Sequence, residues 1–265
     1  MAALPIHGTQ QLTRLTTAAK LARIRPSVAV EVDSPGVIRT ERLIIRPLVS
    51  SDREAYIDAV RASRKELDQF CPLHRDDELD DELFDRQLQL GRAATATGRA
   101  WRCIAELRAQ RGRIVGAFNL NDISYGLDSR AEANVWVRTN DYGNAFAREA
   151  MSAVLAHAFG PRWAGRPGEG MRLAGLGLSR VDGLIAPENA ASLRMTKRLG
   201  FIPDPHRGPE RLVLRGREVE HLPYVLFAPV TGMVELKPRV PAGVSLSKSI
   251  QSLLSIEMRA AVRGD

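Results

Sequence analysis

The sequence predicts an α+β domain, in which strands paired as hairpins are combined with helices that follow single strands. Two short apolar strands, ending at Val137 and at Ile185, each lead through a polar turn into a helical pattern. Upstream and downstream of these units, apolar runs separated by glycine-containing turns have the form of β-hairpins. Strand runs joined as hairpins and interrupted by helices are typical of the α+β class.

Length and composition set the outer bounds of this prediction. The 265 residues are enough for one large domain, or for one ordinary domain with tails, and 44% hydrophobic residues can form a packed core. There is no long uncharged apolar run, so no membrane span is expected. Cys71 and Cys103 lack metal-ligand spacing, and we expect reduced cysteines, a cytoplasmic protein and no metal. The net charge of +7 permits a ribosome or nucleic-acid partner without requiring one.

The two ends of the chain are predicted to be extensions of the domain. Residues 1–30 contain basic side chains and no acid, and a short helical pattern in them stops at Arg25-Pro26. We interpret residues 1–35 as the basic N-terminal extension of a bacterial protein, with an organelle transit peptide as the alternative. Residues 36–228 form the predicted domain. Residues 229–265 form a C-terminal extension, with a helix predicted from the spacing of Ile250, Leu253, Leu254 and Met258.

The first half of the domain is predicted to contain a strand, two helices and a hairpin. The strand is the run Arg42-Leu-Ile-Ile-Arg-Pro-Leu48, and Ser51-Asp52 then caps a helix that continues to Val60. An acidic run from Asp76 to Asp85 opens the second helix. Acids at a helix start complement its dipole and face solvent, and steering of a cationic substrate is the alternative. Residues 101–107 and 113–120 are predicted to pair as a hairpin.

The turn between Val137 and a helix predicted at Phe146–Phe159 has the features of an anion-binding site. Its residues are small or polar, and Gly143 and Ala145 allow the backbone to approach a ligand closely. Because the turn runs directly into a helix, several unpaired N–H groups lie at the positive end of the helix dipole. We therefore predict that phosphate groups bind at Tyr142, Gly143, Asn144, Ala145 and Phe146.

A second turn, Pro187-Glu-Asn189-Ala-Ala-Ser192, connects a strand predicted at Arg180–Ile185 to a helix predicted at Ala190–Leu199. Asn189 stands at the position of a helix N-cap. The segment before this strand, residues 160–177, is rich in glycine, and a structureless loop of this length is either functional or disordered. A closing hairpin is predicted over residues 211–227.

These motifs, in this order and at this spacing, resemble the acetyl-coenzyme A core of the GNAT acyltransferases, and most closely their RimJ/RimL-like branch. The phosphate loop of the family, Gln/Arg-x-x-Gly-x-Gly/Ala followed by Glu-Ala, is matched by Asn140-Asp-Tyr-Gly143-Asn-Ala145 and by Glu149-Ala150. The second signature, Pro-x-Asn-x-x-Ser and then Leu-Gly-Phe after a short helix, is matched from Pro187 to Phe201. Either motif alone is a weak indication, whereas both in register are specific.

The resemblance implies a mixed, mostly antiparallel sheet with a V-shaped splay, flanked by helices. It also implies direct transfer of acetyl from acetyl-CoA to a primary amine, without a covalent enzyme intermediate. The first acceptor hypothesis is a protein N-terminal α-amine, as on a ribosomal protein, and the second is a small-molecule amine such as an aminoglycoside or an amino acid. A regulatory module that binds the cofactor without turnover is the third, because Asn140 replaces the usual Gln or Arg. We expect a monomer or a homodimer.

The resemblance further implies roles for individual residues at the cofactor. A backbone N–H group in the strand of Val135, Trp136 and Val137 would stabilise the thioester oxygen as it becomes anionic. Asn189 would bind the pantetheine arm, in addition to its capping role. Ser192 would protonate the leaving thiolate.

The acceptor side is less completely matched. Glu132, just ahead of the strand of Val135, occupies an acidic position typical of the general base, with Glu106 as a rival. Each could instead be a solvated or salt-bridged strand carboxylate. Phe70-Cys71-Pro72 stands where the branch has a Trp-containing turn that shapes the acceptor pocket. His221 is a candidate acceptor-site residue, although a lone histidine in a strand is more often structural.

Overall fold

The computed structural model describes residues 31–34, 36–126, 128–164, 172–173 and 175–229. All of these residues belong to one compact unit. The helical patterns predicted near the two ends of the chain, within residues 1–30 and beyond residue 229, lie outside the described residues.

The described part of the chain contains five α-helices. They are α1 (Arg53–Arg61), α2 (Arg64–Phe70), α3 (Asp80–Thr97), α4 (Phe146–Phe159) and α5 (Ala190–Leu199). The bounds predicted for α4 and α5 are confirmed. Helix α5 ends at Gly200, which has φ 89° and takes the left-handed conformation that terminates many helices. The helix predicted from Ser51 begins instead with a 3-10 turn, Ser50–Asp52, ahead of α1.

The strands form one large sheet and one small ladder. They are β1 (Glu31–Ser34), β2 (Val37–Arg39), β3 (Leu43–Arg46), β4 (Trp101–Leu107), β5 (Ile114–Ser124), β6 (Arg130–Val137), β7 (Trp163–Ala164), β8 (Arg172–Leu173), β9 (Arg180–Ile185), β10 (Ile202–Pro203), β11 (Glu210–Leu214) and β12 (Arg217–Phe227). The large sheet has the order β1-β2-β3-β4-β5-β6-β9-β12-β10, and β11 pairs with β12. Among the described strands, only β6 and β9 pair in parallel, so the predicted mixed, mostly antiparallel sheet is confirmed.

Three local features differ from the prediction. The sheet already includes Glu31–Ser34, which precede the predicted domain start at residue 36. Strand β6 begins at Arg130, so Glu132 lies inside this strand and not ahead of it. The glycine-rich segment 160–177 contains the short ladder of β7 and β8, and Leu176 near its end is buried in the core. The described part of this segment is therefore not structureless.

The sheet opens between its two parallel strands. Strands β6 and β9 pair only from Arg130 opposite Arg180 to Glu132 opposite Asp182. Beyond these positions the strands have no mutual pairing, although β6 continues to Val137 and β9 continues to Ile185. We call the space between the two unpaired strand ends the gap. It is the V-shaped splay that the sequence motifs imply.

Each face of the sheet carries a separate hydrophobic core. On one face, helix α4 packs Ala150, Met151 and Val154 against strand residues such as Phe118 and Val181. On the other face, helices α1 and α3 pack Tyr56, Val60 and Phe84 against residues such as Trp136 and Ile104. Tyr56 contacts the Phe84 and Trp136 rings edge-on, with both centroids at 5.9 Å. The gap therefore lies in the sheet between two layers of packed helices.

Gly116 explains why strand β5 needs a glycine beside the end of β6. A Cβ atom at this position would lie 2.1 Å from the carbonyl oxygen of Trp136, which is well inside van der Waals contact. Only glycine therefore allows the two backbones to approach this closely without a shift of β6. The path of β6 beside the gap depends on this contact.

Candidate functional site

A cavity of about 600 Å³ occupies the gap and extends to both faces of the sheet. It brings together predicted residues from β6, from the loop before α4 and from the start of α5. These residues are Val135, Trp136, Val137, Tyr142, Gly143, Ala145, Phe146, Asn189 and Ser192. Two predicted residues, Glu132 and Asn144, are not among the described residues that line the cavity.

The loop before α4 has the backbone geometry of an anion-binding site. Gly143 has φ 85° and Ala145 has φ 61°, so two residues of the loop take the left-handed conformation. Ala145 is the N-cap of α4, and Glu149 is the first residue of the helix whose N–H returns to the Ala145 carbonyl oxygen. Within the described part of the chain, the N–H groups of Gly143, of Ala145 and of residues 146–148 have no hydrogen-bond acceptor. These donors converge at the positive end of a helix.

Arg42 and Glu149 hold the loop in this conformation. Arg42 Nη1 donates to the Asn144 carbonyl oxygen at 3.0 Å, and Arg42 Nε donates to the Glu149 carboxylate at 2.6 Å. Glu149 also accepts from the Thr40 hydroxyl at 2.5 Å and from the Arg42 backbone N–H at 2.9 Å. Asn144 therefore contributes through its carbonyl group, on the side of the loop that faces β3.

Although burial of the Glu149 carboxyl opposes its ionisation, the hydrogen bonds from Thr40 and Arg42 hold its pKa below the usual range. A carboxylate with a lowered folded-state pKa stabilises the fold above its unfolded pKa and loses this contribution as pH falls through the folded-state value. We expect Glu149→Gln to lower the free energy of unfolding by about 2 kcal/mol at pH 7, as typical for hydrogen bonds to a charged group.

Urea unfolding of the wild type and of Glu149→Gln at several pH values would check this expectation. The difference between the two proteins should persist from pH 7 down to about 4.3, the ordinary glutamate pKa, and should shrink below it. Glu41→Gln serves as a control, because Glu41 is an exposed neighbour whose side chain forms no hydrogen bond or ion pair within the described part of the chain. A difference that stays constant down to pH 2 would mean that the carboxylate charge is not what stabilises the loop.

The start of α5 presents two polar side chains to the cavity. The Asn189 side-chain oxygen accepts a hydrogen bond from the Ser192 backbone N–H at 3.1 Å, which confirms the N-cap prediction. The Asn189 amide nitrogen and the Ser192 hydroxyl have no partner within the described residues, and both residues line the cavity. Capping and ligand binding are therefore compatible at Asn189.

Three exposed arginines, which the sequence analysis did not select, line the cavity beside the loop. Arg148 lies in the first turn of α4, and Arg194 and Arg198 lie four residues apart on α5. None of the three has a carboxylate partner in the described part of the chain. Like charges at this spacing repel each other on a helix, and a bound anion relieves the repulsion. The i,i+4 spacing of Arg194 and Arg198 is the sequence feature from which this anion-binding surface could have been predicted.

We expect the double variant Arg194→Ala, Arg198→Ala to raise the KM for a polyanionic cofactor about tenfold, which corresponds to ~1.4 kcal/mol. The value of kcat should stay near that of the wild type, because arginines that bind phosphate groups would act on the bound cofactor far from the reacting atoms. Lys197→Ala is the matched control, since Lys197 is an exposed cation on the same helix that does not line the cavity. If Lys197→Ala raised the KM as much as the double variant does, the loss of positive charge anywhere on α5 would explain the effect.

The backbone of β6 directs donors into the gap. Arg138 N–H donates to the Val115 carbonyl oxygen of β5 at 2.8 Å. Because hydrogen-bonded pairs alternate along an antiparallel ladder, Trp136 and Asn134 also bond to β5. The N–H groups of Val135 and Val137 therefore point away from β5, toward the gap. An N–H group at this position suits a carbonyl oxygen that becomes negative during a reaction.

The two carboxylates considered as a base have different environments. Glu106 is buried, and it forms an ion pair with Arg46 at 2.8 Å and accepts from the Gly112 N–H at 2.6 Å, so it is a structural residue. Glu132 lies on β6 where β6 and β9 are still paired. Burial and then the charge of Asp122 raise the pKa of Glu132, against the influence of Arg207. A raised pKa is compatible with proton transfer, and the base role of Glu132 stays a prediction.

The far end of the cavity, which we call the acceptor end, lies against helix α2 and strand β12. Glu66, Phe70 and Cys71 line it from α2 and the residue after it, and His221 lines it from β12. The Asn134 amide contacts the Cys71 sulfur at 3.5 Å, which joins β6 to this wall. The sequence analysis placed Phe70, Cys71 and His221 at the acceptor site. It did not identify Glu66, because the position of this residue depends on how α2 packs.

The acidic run before and within α3 is largely neutralised by arginines. Arg53 pairs with Asp81 and Asp85, Arg61 pairs with Asp80, and Arg86 pairs with Glu78. Arg215, at the tip of the hairpin of β11 and β12, pairs with Asp76 and also with Asp68 of α2. This arrangement favours the interpretation of a salt-bridged helix start over substrate steering.

Neither a metal centre nor a membrane helix is found among the described residues. They contain no group of three or more His, Cys, Asp or Glu that could hold a metal ion. No helix in the same part of the chain has both the length and the apolar composition needed to cross a membrane.

Comparison with known proteins agrees with this geometry. The family model described as an acetyltransferase (GNAT) domain matches residues 42–202, which is more than half of the chain. No curated protein matches the sequence. The matched range includes the loop before α4, the gap and the start of α5.

Solved structures of acetyltransferases share the fold at low sequence identity. The ribosomal-protein-S5-alanine acetyltransferase of Vibrio fischeri is 17% identical with a TM-score of 0.59, over 72% of this chain and 96% of that chain. RimJ of Mycobacterium smegmatis with CoA-disulfide is 19% identical with a TM-score of 0.57, over 78% and 89%. RimL, the ribosomal L7/L12 alpha-N-protein acetyltransferase, in complex with coenzyme A, is 16% identical with a TM-score of 0.58, over 76% and 99%.

Proposed function

This chain belongs to the GNAT acetyltransferase family and is an acetyl-CoA-dependent N-acetyltransferase, and from this premise we propose that it acetylates the N-terminal α-amine of a protein. A ribosomal protein is the first candidate acceptor. The observation that carries the proposal is the single cavity that joins an anion-binding loop to an acceptor end through the gap. Donor and acceptor can meet there directly, without a covalent enzyme intermediate.

The cofactor end supplies what the acetyl donor requires. In this proposal the diphosphate of acetyl-CoA binds the free N–H groups from Gly143 to residue 148, and the pantetheine arm passes Asn189 into the gap. The Val135 N–H, or that of Val137, stabilises the thioester oxygen as the amine attacks. Ser192 gives a proton to the thiolate as the C–S bond breaks. Acetyl-CoA contributes the activated acetyl group, and the protein contributes position and electrostatic stabilisation.

The acceptor end favours an α-amine by its chemistry. An α-amine has an ordinary pKa of about 7.7–8.0, against about 10.4 for lysine, so a modest base is enough to produce the neutral nucleophile near pH 7. Among the described residues, no strongly basic group lines this end, where Glu66, Cys71 and His221 are the titratable residues. The fold similarity to RimJ and RimL is consistent with such an acceptor, but at 16–19% identity it supports the fold alone.

Thiol release from acetyl-CoA, measured against a panel of acceptors, tests the proposal. The panel contains peptides with free N-termini, the same peptides with the N-terminus blocked and one lysine added, and small amines including spermidine and an aminoglycoside. We expect turnover with the free N-termini and little with the blocked peptides. A preference for small amines would mean that the acceptor is a small molecule and not a protein N-terminus. A spermidine acetyltransferase chimera also shares this fold, with a TM-score of 0.50. Cofactor binding without turnover of any acceptor would indicate a regulatory module.

A further inference from the structure

We propose that His221 accepts the proton of the acceptor amine and is a catalytic residue of this enzyme; the inference rests on the proposed amine acetylation. Strand register gives the first part of the argument. Asp182 of β9 lies opposite both Glu132 of β6 and Val225 of β12, so these three side chains share one face of the sheet. Side chains alternate along a strand, so His221, four residues from Val225, lies on that face too.

The open end of the gap separates His221 from Glu132. Glu132 lies where β6 and β9 are still paired and is not among the described residues that line the cavity. His221 lies just beyond the last paired position of β12, where Leu222 is opposite Ile185, and it lines the cavity. An amine that attacks a thioester held between Val135 and Ser192 must occupy this open end. His221 is therefore the titratable side chain next to the attacking amine.

The hydrogen bond of the ring fixes its tautomer. Nδ1 of His221 lies 3.0 Å from the Val219 carbonyl oxygen. A carbonyl oxygen can only accept, so Nδ1 carries the proton and the neutral ring has its lone pair on Nε2. The residue is 4% exposed, which restricts ring rotation and exchange with the second tautomer. A buried histidine with one nitrogen bonded to the backbone presents its other nitrogen as an acceptor.

The other ionisable groups around His221 are poorly suited to this role. The titratable residues that line the cavity or lie opposite the ring on β11 are Glu66, Cys71, Asp141, Tyr142, Glu188 and Glu210. Burial raises the pKa of the Cys71 thiol and of the Tyr142 hydroxyl, so both stay protonated near neutral pH. Asp141 binds Arg113, Glu210 binds Arg207, and Glu66 accepts from the Thr139 hydroxyl. Glu188 is exposed after β9, and Arg148, Arg194 and Arg198 line the cofactor end.

The proton balance of the reaction is then complete. The ammonium form of the acceptor gives one proton to Nε2, and its freed lone pair forms the N–C bond at the thioester carbonyl. The C–S bond breaks, the thiolate takes a proton from Ser192, and the new amide loses the second proton of its nitrogen, which returns to the Ser192 oxygen through solvent. His221 releases its proton to water. The sum is ammonium plus acetyl-CoA to amide, free thiol and one proton.

The test is the pH dependence of kcat/KM for His221→Asn with an acceptor from the panel. The asparagine amide can still donate to Val219, so the substitution retains the structural hydrogen bond and removes the Nε2 lone pair. We expect the rate to fall about tenfold at pH 7, where roughly one tenth of an α-amine is neutral, and to approach that of the wild type above pH 9, where an α-amine is neutral without help. His206→Asn, at an exposed histidine outside the cavity, is the matched control and should behave as wild type.

A loss of equal size at every pH, with acetyl-CoA affinity and thermal midpoint unchanged, would assign His221 a structural role and overturn the proposal. A greater loss in Glu132→Gln than in His221→Asn at pH 7 would also overturn it, in favour of Glu132. His221→Gln repeats the test if the asparagine variant unfolds. If the wild type acetylates no acceptor, the proposed function fails; nitrogen NMR of the wild-type ring then still decides, because a neutral Nε2–H tautomer at pH 8 contradicts the assignment.

Discussion

Gly143→Glu is expected to abolish binding of acetyl-CoA, with at least a hundredfold loss of affinity, which corresponds to about 2.7 kcal/mol. Two effects add at this position. Gly143 has φ 85°, a conformation that costs a side-chain-bearing residue roughly 1–2 kcal/mol. A carboxylate here would also compete with the diphosphate for the free N–H groups of the loop and repel its charge. Titration calorimetry with acetyl-CoA measures the loss directly.

The same position provides its own control. A Cβ atom at Gly143 would meet no other atom within 4 Å, so the side chain enters open cavity and the fold should persist. Gly143→Gln has the same shape and backbone strain without the charge, and we expect it to weaken binding by clearly less than Gly143→Glu. Gly143→Asn tolerates the left-handed conformation better and should weaken binding least. Wild-type affinity in the glutamate variant would exclude this loop as the diphosphate site.

The sequence predicts the cofactor half of the site because that half is built from local structure. The bounds of α4 and α5 follow from hydrophobic periodicity and from end signals such as Asn189 and Gly200, which act within one helical turn. The loop from Tyr142 to Phe146 is likewise contiguous in sequence, so a motif can define its backbone. Glu149 was recognised as part of that motif, but its partners Thr40 and Arg42 lie more than 100 residues away.

The acceptor half of the site could not be predicted in the same way, because it depends on long-range packing. The gap exists because β6 and β9 stop pairing after Glu132, and the number of paired residues between two strands is not encoded by either strand alone. Glu66 reaches the cavity only through the placement of α2. The acidic run suggested an open charged surface, whereas its arginine partners come from α1, from α3 itself and from the tip of a distant hairpin. These long-range ion pairs determine whether the acidic side chains are structural or free to act on a substrate.

Ser192→Ala is expected to lower kcat about thirtyfold and to leave the KM for acetyl-CoA nearly unchanged. The hydroxyl is required only as negative charge develops on sulfur, so its loss affects the transition state and not the bound donor. The effect is smaller than for an alkoxide leaving group, because an ordinary thiol has a pKa of about 8.5 and leaves readily as a thiolate. Steady-state kinetics with the preferred acceptor gives both parameters.

The structure makes this substitution well suited to the test. Asn189 caps α5 through the Ser192 backbone N–H, so the alanine variant keeps the cap and the start of the helix. Asn189→Ala is the informative contrast, since it removes the cap, costs about 1 kcal/mol of stability and should raise the KM for acetyl-CoA. Ser192→Thr retains the hydroxyl and should restore most of kcat. A Ser192→Ala enzyme with the kcat of the wild type would mean that the thiolate leaves without a proton from this residue, and that solvent in the gap protonates it.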